Sequence, residues 1–315
     1  MTLAIGLNPY GLTYTLGLQA NPRGTGLEGF LAIAEEIGAR VAELHQPWLA
    51  GMDLAALAER LQALGLTPVV SCGLDPADDD AALECAALLR ARVVRMALTR
   101  VLQGDRHAVD WPRLVDGVRA RLARVAPRAA AAGLSVAIEN HQDFTSADLM
   151  ELCEEAGEAV GIALDTGNAF AVGEAPLEFA RTVAPRTRHV HLKDYRVQPT
   201  DEGYRLVRCA IGDGAVPFRE LLQILGRDLS ASLEPGALEA RHIRLFTEEW
   251  WRGYPPVDAR RLAAALRAAR VNRLGEDEDH RTPWERGDTG NELIRYERDM
   301  MRSSAANLRA LGLME

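Results

Sequence analysis

The chain reads as a (β/α)8 barrel with a C-terminal helical extension, and three observations predict it. Eight apolar runs of strand length recur, at residues 3–7, 40–45, 67–72, 93–98, 134–140, 160–165, 188–193 and 231–234. Segments of helical character separate them, the alternation expected of successive βα units. The main competitor, a doubly wound open sheet, would carry a glycine fingerprint after its first strand. Here Gly6-Leu7-Asn8-Pro9-Tyr10-Gly11 does not match that spacing, and no phosphate-binding glycine loop appears elsewhere.

Each element follows from its own pattern. Residues 29–37 set Phe30, Ile33, Ala34 and Ile37 on one helical face. The spans 54–64, 77–91 (after an Asp-Pro start) and 111–132 read the same way. No tandem repeat beyond this alternation and no low-complexity linker divides the chain, so residues 1–252 are expected to form one barrel domain. Eighty-one residues follow Glu234. Residues 237–251 should supply the eighth barrel helix, 257–271 another and 291–311 a third, with a polar run at 275–288. The extension, 253–315, holds Tyr254 and Trp284, which with Trp250 and Trp251 form an aromatic cluster in a chain with only 5% aromatics. Such rings pack an extension onto its own barrel, or cap a site, or meet a second subunit in a homodimer.

Composition narrows the function classes. Thirty-six basic against 45 acidic residues leave a net charge of −9, which argues against an extended nucleic-acid footprint. Cys72, Cys85, Cys153 and Cys209 lie far apart without a CxxC pair, the usage of reduced thiols in a cytoplasmic protein rather than of a thiolate metal centre. The start MTLAIGLNPYGLTY carries neither a basic leader nor a long apolar run, so neither a signal peptide nor a membrane span is expected.

The chemistry should sit where strands finish, because working residues of such barrels lie at strand C-termini. In Arg188-His189-Val190-His191-Leu192-Lys193-Asp194, residues 189, 191 and 193 share one face, and three ionisable groups on one side of a covered strand must serve a pocket or be satisfied in the core. Strand five ends on Glu139-Asn140-His141, strand six on Asp165-Thr166-Gly167-Asn168 and strand eight on Glu234-Pro235-Gly236. Glu139, Asp165, His191 and Glu234 could therefore converge on one divalent ion with open positions for substrate. Three oxygens and a nitrogen favour Mn²⁺, Mg²⁺ or Co²⁺, with Zn²⁺ also compatible. Each carboxylate alone could instead cap a helix or pair with an arginine. Four at matching places point to metal.

The set IENH (138–141), LDTGN (164–168), HVHLKD (189–194), IGDGAVPF (211–218) and SLEPG (232–236) resembles the sugar phosphate isomerase/epimerase group of the xylose-isomerase-like TIM barrels, over roughly residues 1–240. The resemblance implies one divalent ion on Glu139, Asp165, His191 and Glu234. It also implies an acid–base role for Glu139 and Glu234 on opposite faces of a sugar. The chain departs from the ketose 3-epimerases at Asn168, where they commonly carry a histidine beside the sugar.

Other groups take supporting places in this reading. His141 and Lys193 lie two residues beyond Glu139 and His191 and point inward, His141 to hydrogen-bond substrate or orient the ligand, Lys193 either to stabilise a developing oxyanion or grip a carboxylate, or to pair with Asp194 or another acid. His189 belongs one layer deeper. Glu43 and His45 form a corresponding pair at the end of strand two, facing substrate, and Asn168 stands beside it. Arg208, Arg241 and His242 either border the mouth and bind an anionic substrate or are solvated surface groups. Gly212-Asp213-Gly214 shapes entry into a helix beginning near Pro217. The expected activity is isomerisation or epimerisation of a small carbohydrate-like hydroxy-carbonyl compound through a metal-stabilised enediolate. The alternative is a lyase, a decarboxylase or dehydratase, using the same site. The related abasic-site endonucleases use a trinuclear zinc centre with further histidines, and strands three and four, PVVSCG and VVRMAL, offer none.

Overall fold

Eight parallel strands close on themselves: β1 (Ala4–Leu7), β2 (Val41–His45), β3 (Thr67–Cys72), β4 (Val93–Met96), β5 (Ser135–Glu139), β6 (Val160–Asp165), β7 (Thr187–Leu192) and, after an antiparallel hairpin of β8 (Tyr195–Thr200) and β9 (Gly203–Arg208), β10 (Ser230–Leu233). In this computed structural model, which describes residues 3–315 except Ala20, Arg227 and Ala237, β10 pairs with β7 on one side and β1 on the other. Helices α1 (Gly26–Glu36), α2 (Leu54–Ala63), α3 (Asp79–Leu88), α4 (Trp111–Ala131), α5 (Ser146–Ala156), α6 (Pro176–Val183) and α7 (Phe218–Leu225) follow their strands, with α8 (Ala259–Ala268) and α9 (Asn291–Ala310) in the tail. Their starts are set locally. Asp53 caps α2 and Asp110 caps α4, while Thr145 and Asp148 form a reciprocal capping box on α5.

The twofold alternation of a strand sorts the barrel into two compartments. One set, including Leu7, Leu44, Val70, Val94, Ile138, Leu164, Val190 and Leu233, faces the helices and makes the apolar core. The other set faces the lumen and is polar: Glu43, Ser71, Arg95, Glu139, Asp165, His189, His191 and Ser232 are all buried there. A barrel whose interior holds charge must satisfy it internally, and this requirement builds the site described below.

Two parts of the chain differ from the sequence expectation. The 195–217 connection contains the β8–β9 hairpin, and the span expected as the eighth helix, 237–251, instead supplies β11 (Arg241–Ile243), antiparallel to β9. Ala237 itself lies outside the described residues. The edge of β9 presents unpaired backbone groups, and residues 241–243 answer them with the register Arg241↔Leu206 and Ile243↔Tyr204. The eighth helical place is taken by α9. Glu297 on it accepts from the backbone of Tyr14 and Thr15 in the loop after β1, Arg298 and Arg302 pair with Glu36 of α1, and Arg309 donates to the Ile37 carbonyl. Leu293, Met301, Ala305 and Leu308 are buried along its inner face.

The aromatic cluster fastens the tail to the barrel. Trp250 stacks on Tyr254 at 4.6 Å and donates to the Gln103 carbonyl, and Tyr254 donates to the Gly104 carbonyl in the loop after β4. Gly104 has φ +72°, and an added Cβ would meet Trp250 at 2.6 Å and Tyr254 Oη at 2.7 Å, so the ring stack requires a glycine there. Trp284 lies against Tyr14 with centroids 6.4 Å apart.

A candidate metal centre at the mouth of the barrel

Glu139, Asp165, His191 and Glu234 meet where β5, β6, β7 and β10 end, and one donor atom from each lies within 4.8 Å of all the others. Neighbouring registers bring them together: Asp165 pairs with His191, and His191 with Ser232, two residues before Glu234. A register irregularity between Ile162 and Ala163 sets this alignment of β6 on β7. Asn140 then clamps Asp165, its amide accepting from the Asp165 N–H at 2.6 Å and donating to the Asp165 carbonyl at 2.9 Å. Asn168 donates to Asp165 Oδ2 at 2.7 Å and accepts from Tyr195 Oη, so it orients this carboxylate from within the wall rather than from the cavity.

His191 shows how the barrel interior supports the cluster. Its Nδ1 faces Glu139 Oε1 at 3.1 Å and Glu234 Oε2 at 3.0 Å, while Nε2 faces Glu43 Oε2 at 2.9 Å and Asn8 Nδ2 at 3.2 Å. An imidazole held by a carboxylate on one nitrogen and presented on the other is the arrangement that orients a metal-binding histidine. Glu43, expected to face substrate, lies fully buried beneath His191, where it also accepts from Asn8 and Arg95. His189 sits deeper still, between the hydroxyls of Ser230 and Ser232. Glu43, His189 and His191 also lie close enough to hold an ion. Their hydrogen bonds to one another and to these neighbours make them the supporting layer.

The fit to a divalent cation rests on the charges and on one orphan atom. Glu234 Oε2 is buried and, although close to His191, makes no hydrogen bond. Lys193, pinned through its backbone to Thr166, places Nζ 2.5 Å from Asp165 Oδ2 and 2.7 Å from Glu234 Oε1. Burial pushes the Asp165 carboxyl up to about 7 against the pull of Lys193, with Glu234 and Glu139 adding to the rise. Burial acts on Glu234 too, yet Lys193 and His191 outweigh it and bring that carboxyl down to about 2. Glu139 is held well below the usual carboxylate range because Arg95, then His191, overcomes its burial. Three carboxylates packed around one imidazole form an oxygen-rich pocket, the donor set of a hard divalent ion.

Above this floor opens a cavity of about 400 Å³, bordered by Glu139, His141, Lys193 and Glu234 with Tyr10, Arg95, Arg208 and Arg241. Burial lowers His141 to about 4, so it faces the cavity as a neutral imidazole near pH 7. His45 is not among the described residues bordering it; its Nδ1 is 3.0 Å from Tyr10 Oη and its ring lies edge-on to Trp48. His242 turns toward Thr200, away from the mouth. Asp194 is committed to structure, accepting the backbone N–H groups of Tyr195, Gly212, Gly214 and Val216 and so shaping the turn before α7.

The residue that strand-end reasoning passes over is Arg95. It lies within β4, 4% exposed, with Nε 3.3 Å from Glu43 Oε1 and Nη1 3.7 Å from Glu139 Oε2, its guanidinium over the Tyr10 ring. Its signal was a single cation in the apolar run Val93-Val94-Arg95-Met96. Asn8 and Asn140, at the ends of β1 and β5, carried no such contrast.

Comparison with known proteins agrees with this architecture. The chain is 33% identical over 91 residues to the uncharacterised protein YihM of Escherichia coli (strain K12), covering 29% of this chain and 28% of that protein. It is 30% identical over 131 residues to the inosose dehydratase of Bacillus thuringiensis (strain Al Hakam), covering 37% and 43%. These matches span less than half the length of either curated relative. The crystal structure of D-psicose 3-epimerase with D-tagatose from Clostridium cellulolyticum H10 shares the fold, with a TM-score of 0.60 at 14% identity and 100% of both chains covered. The model of the xylose isomerase-like TIM barrel family matches residues 31–231. The chain belongs to the xylose isomerase-like TIM barrel family.

Proposed function

We propose that this chain is a divalent-metal-dependent enzyme that moves a proton next to the carbonyl of a small, sugar-like hydroxylated substrate, as an isomerase or epimerase. The observation that carries the reading is the meeting of four strand-end donors at the floor of a polar cavity. Glu139, Asp165, His191 and Glu234 would hold the ion, with Mn²⁺, Mg²⁺ or Co²⁺ suited to the oxygen-rich set and Zn²⁺ compatible. When bound, the ion would polarise the carbonyl and stabilise the negative charge that develops on its oxygen as the proton leaves.

The chain's own groups do the rest. Glu139 and Glu234 border the cavity from different strands and are both held ionised, so each can accept a proton from a carbon between them. Arg95 steadies Glu139 and Lys193 steadies Glu234. His141 offers the substrate a neutral hydrogen-bonding group.

A second reading, loss of water from the substrate, is favoured by Lys193 and by the similarity to an inosose dehydratase. Glu234, having taken the proton from carbon, can pass it to a departing hydroxyl, and the Lys193 ammonium 2.7 Å away stabilises the carboxylate that is left. Incubating the Mn²⁺-loaded chain with candidate hydroxy-carbonyl compounds in deuterium oxide separates the two. Deuterium at carbon with the heavy-atom skeleton unchanged supports the isomerase, and release of water supports the dehydratase. A chain that fails to bind Mn²⁺ in calorimetry sinks both.

A further inference from the structure

The hairpin and β11 are more than a late addition to the barrel. Arg208 ends β9, and Arg241 begins β11 directly opposite Leu206. Residues 206 and 208 point to the same side of a strand, so Arg208 and Arg241 stand on one face of the small sheet as diagonal neighbours, with backbones roughly 7–8 Å apart. Both border the cavity above the carboxylate–histidine cluster. Like charges placed so on adjacent strands repel, and partial burial removes the water that would screen them.

The protein answers only part of that charge. Arg241 Nη1 donates to Glu239 at 2.6 Å, and the Arg208 side chain has no hydrogen-bond or ion-pair partner among the described residues. The Nε atoms of both are buried without an acceptor. Room for Arg208 is made by Gly236, at φ +63°, where an added Cβ would stand 2.3 Å from Arg208 Nη1. The guanidinium therefore lies against bare backbone two residues beyond Glu234.

The charge balance of the cavity points the same way. Among the described residues lining it, five side chains are cationic and three are carboxylates. Glu43 and Asp165 beneath the floor bring the two signs level, counting Asp165 as ionised and the histidines as neutral. A divalent ion then leaves the site positive by two charges.

We infer that Arg208 and Arg241 form a clamp for an oxyanion, the carboxylate or phosphate of a hydroxylated substrate whose other end reaches the metal cluster. This rests on the metal reading above for its charge count, while the unmet guanidinium donors stand independently of it. A planar guanidinium grips either oxyanion with two parallel N–H donors, and a pair of them fixes which end of the substrate faces outward. The clamp restricts the substrate class to sugar acids or sugar phosphates and disfavours neutral sugars.

The test uses the full chain loaded with Mn²⁺ and isothermal calorimetry with three probes: D-gluconate, inorganic phosphate and the neutral polyol D-glucitol. Gluconate or phosphate should bind at least roughly tenfold more tightly than glucitol, and Arg208→Met and Arg241→Met should each weaken the anion roughly ten- to a hundredfold. Arg208→Lys should keep part of the affinity. Gluconate bound in preference to phosphate identifies a carboxylate, and the reverse identifies a phosphate. Mn²⁺ affinity is read in the same chains and should be unchanged, which also shows that the variants fold. A wild-type chain that takes up no Mn²⁺ refutes the metal reading, while the anion titrations still decide the clamp. Equal binding of gluconate, phosphate and glucitol, or variants that bind anions like the wild type, overturns it.

Discussion

Replacing Arg95 with methionine should test how the barrel tolerates charge in its interior. Methionine keeps much of the stem's volume and removes the guanidinium that lies 3.3 Å from Glu43 and 3.7 Å from Glu139, with all three side chains at most 5% exposed. At an effective dielectric of about 20 each attraction is about 4–5 kcal/mol, largely offset by desolvation, and removing one partner of a buried pair usually costs about 3–5 kcal/mol. That is a large share of the roughly 5–15 kcal/mol that holds a domain together. Urea unfolding followed by circular dichroism reads the deficit at pH 7. Arg95 is the leading influence lowering Glu139, whose depressed pKa contributes stability that is present above about pH 4.3 and lost as pH falls through the lower folded value. Without Arg95 the folded value rises, so the deficit should be greatest near neutrality and narrow toward pH 4–5. Mn²⁺ should restore more stability to the variant than to the wild type, since it supplies positive charge beside Glu139. A deficit below about 1 kcal/mol at pH 7, or one that persists unchanged in acid, would refute the reasoning.

Four further outcomes are expected. Glu139→Gln and Glu234→Gln should each cut turnover by roughly 10²–10⁴-fold with an unchanged circular dichroism spectrum, and near-normal rates in either would remove it from the proton-transfer role. Glu43→Gln should weaken Mn²⁺ binding about 10–100-fold by loosening the hold on His191 Nε2, read by calorimetry; unchanged affinity would mean that Glu43 orients nothing. Burial raises Asp143 to about 6 against its Thr99 and Phe144 hydrogen bonds, so its favourable contribution is full below about pH 4 and lost as pH rises through 6. Asp143→Asn should therefore flatten the fall in urea midpoint between pH 4 and 7, and an identical fall in the variant would show that another group titrates. A chain ending at Gly253 should fail to fold, because it loses α9 and with it the buried Leu293, Met300, Met301 and Leu308, worth about 1.5–3 kcal/mol each; a folded, soluble product by circular dichroism and light scattering would contradict the placement of α9 as the eighth helix.

The barrel was legible because its signals are local. Eight apolar runs of the right length survive as eight strands with ends moved by at most two residues, since a strand covered by helices must carry apolar groups on its outer face wherever it lies in the chain. The convergence of Glu139, Asp165, His191 and Glu234 followed from the same rule, each standing at a strand end. The error at 237–251 has a physical origin: the pairing of Arg241–Ile243 with β9 depends on an open edge some 35 residues earlier, and no local periodicity records it.

Depth within the lumen was the other thing hidden from the sequence. Alternation places His189, His191 and Lys193 on one side of β7, and says nothing of which layer each occupies. The stagger of neighbouring strands decided that His191 reaches the carboxylates, that His189 stops between two serines, and that Glu43 supports the cluster from beneath. Sequence alone determined the closed barrel and the chemical kinds of group at its mouth, because strand length, period and polar strand ends are properties of contiguous residues. Tertiary structure alone decided Arg95 as the counter-charge, α9 as the closing helix and the meeting of Arg208 with Arg241, because each depends on registers between segments far apart in the chain.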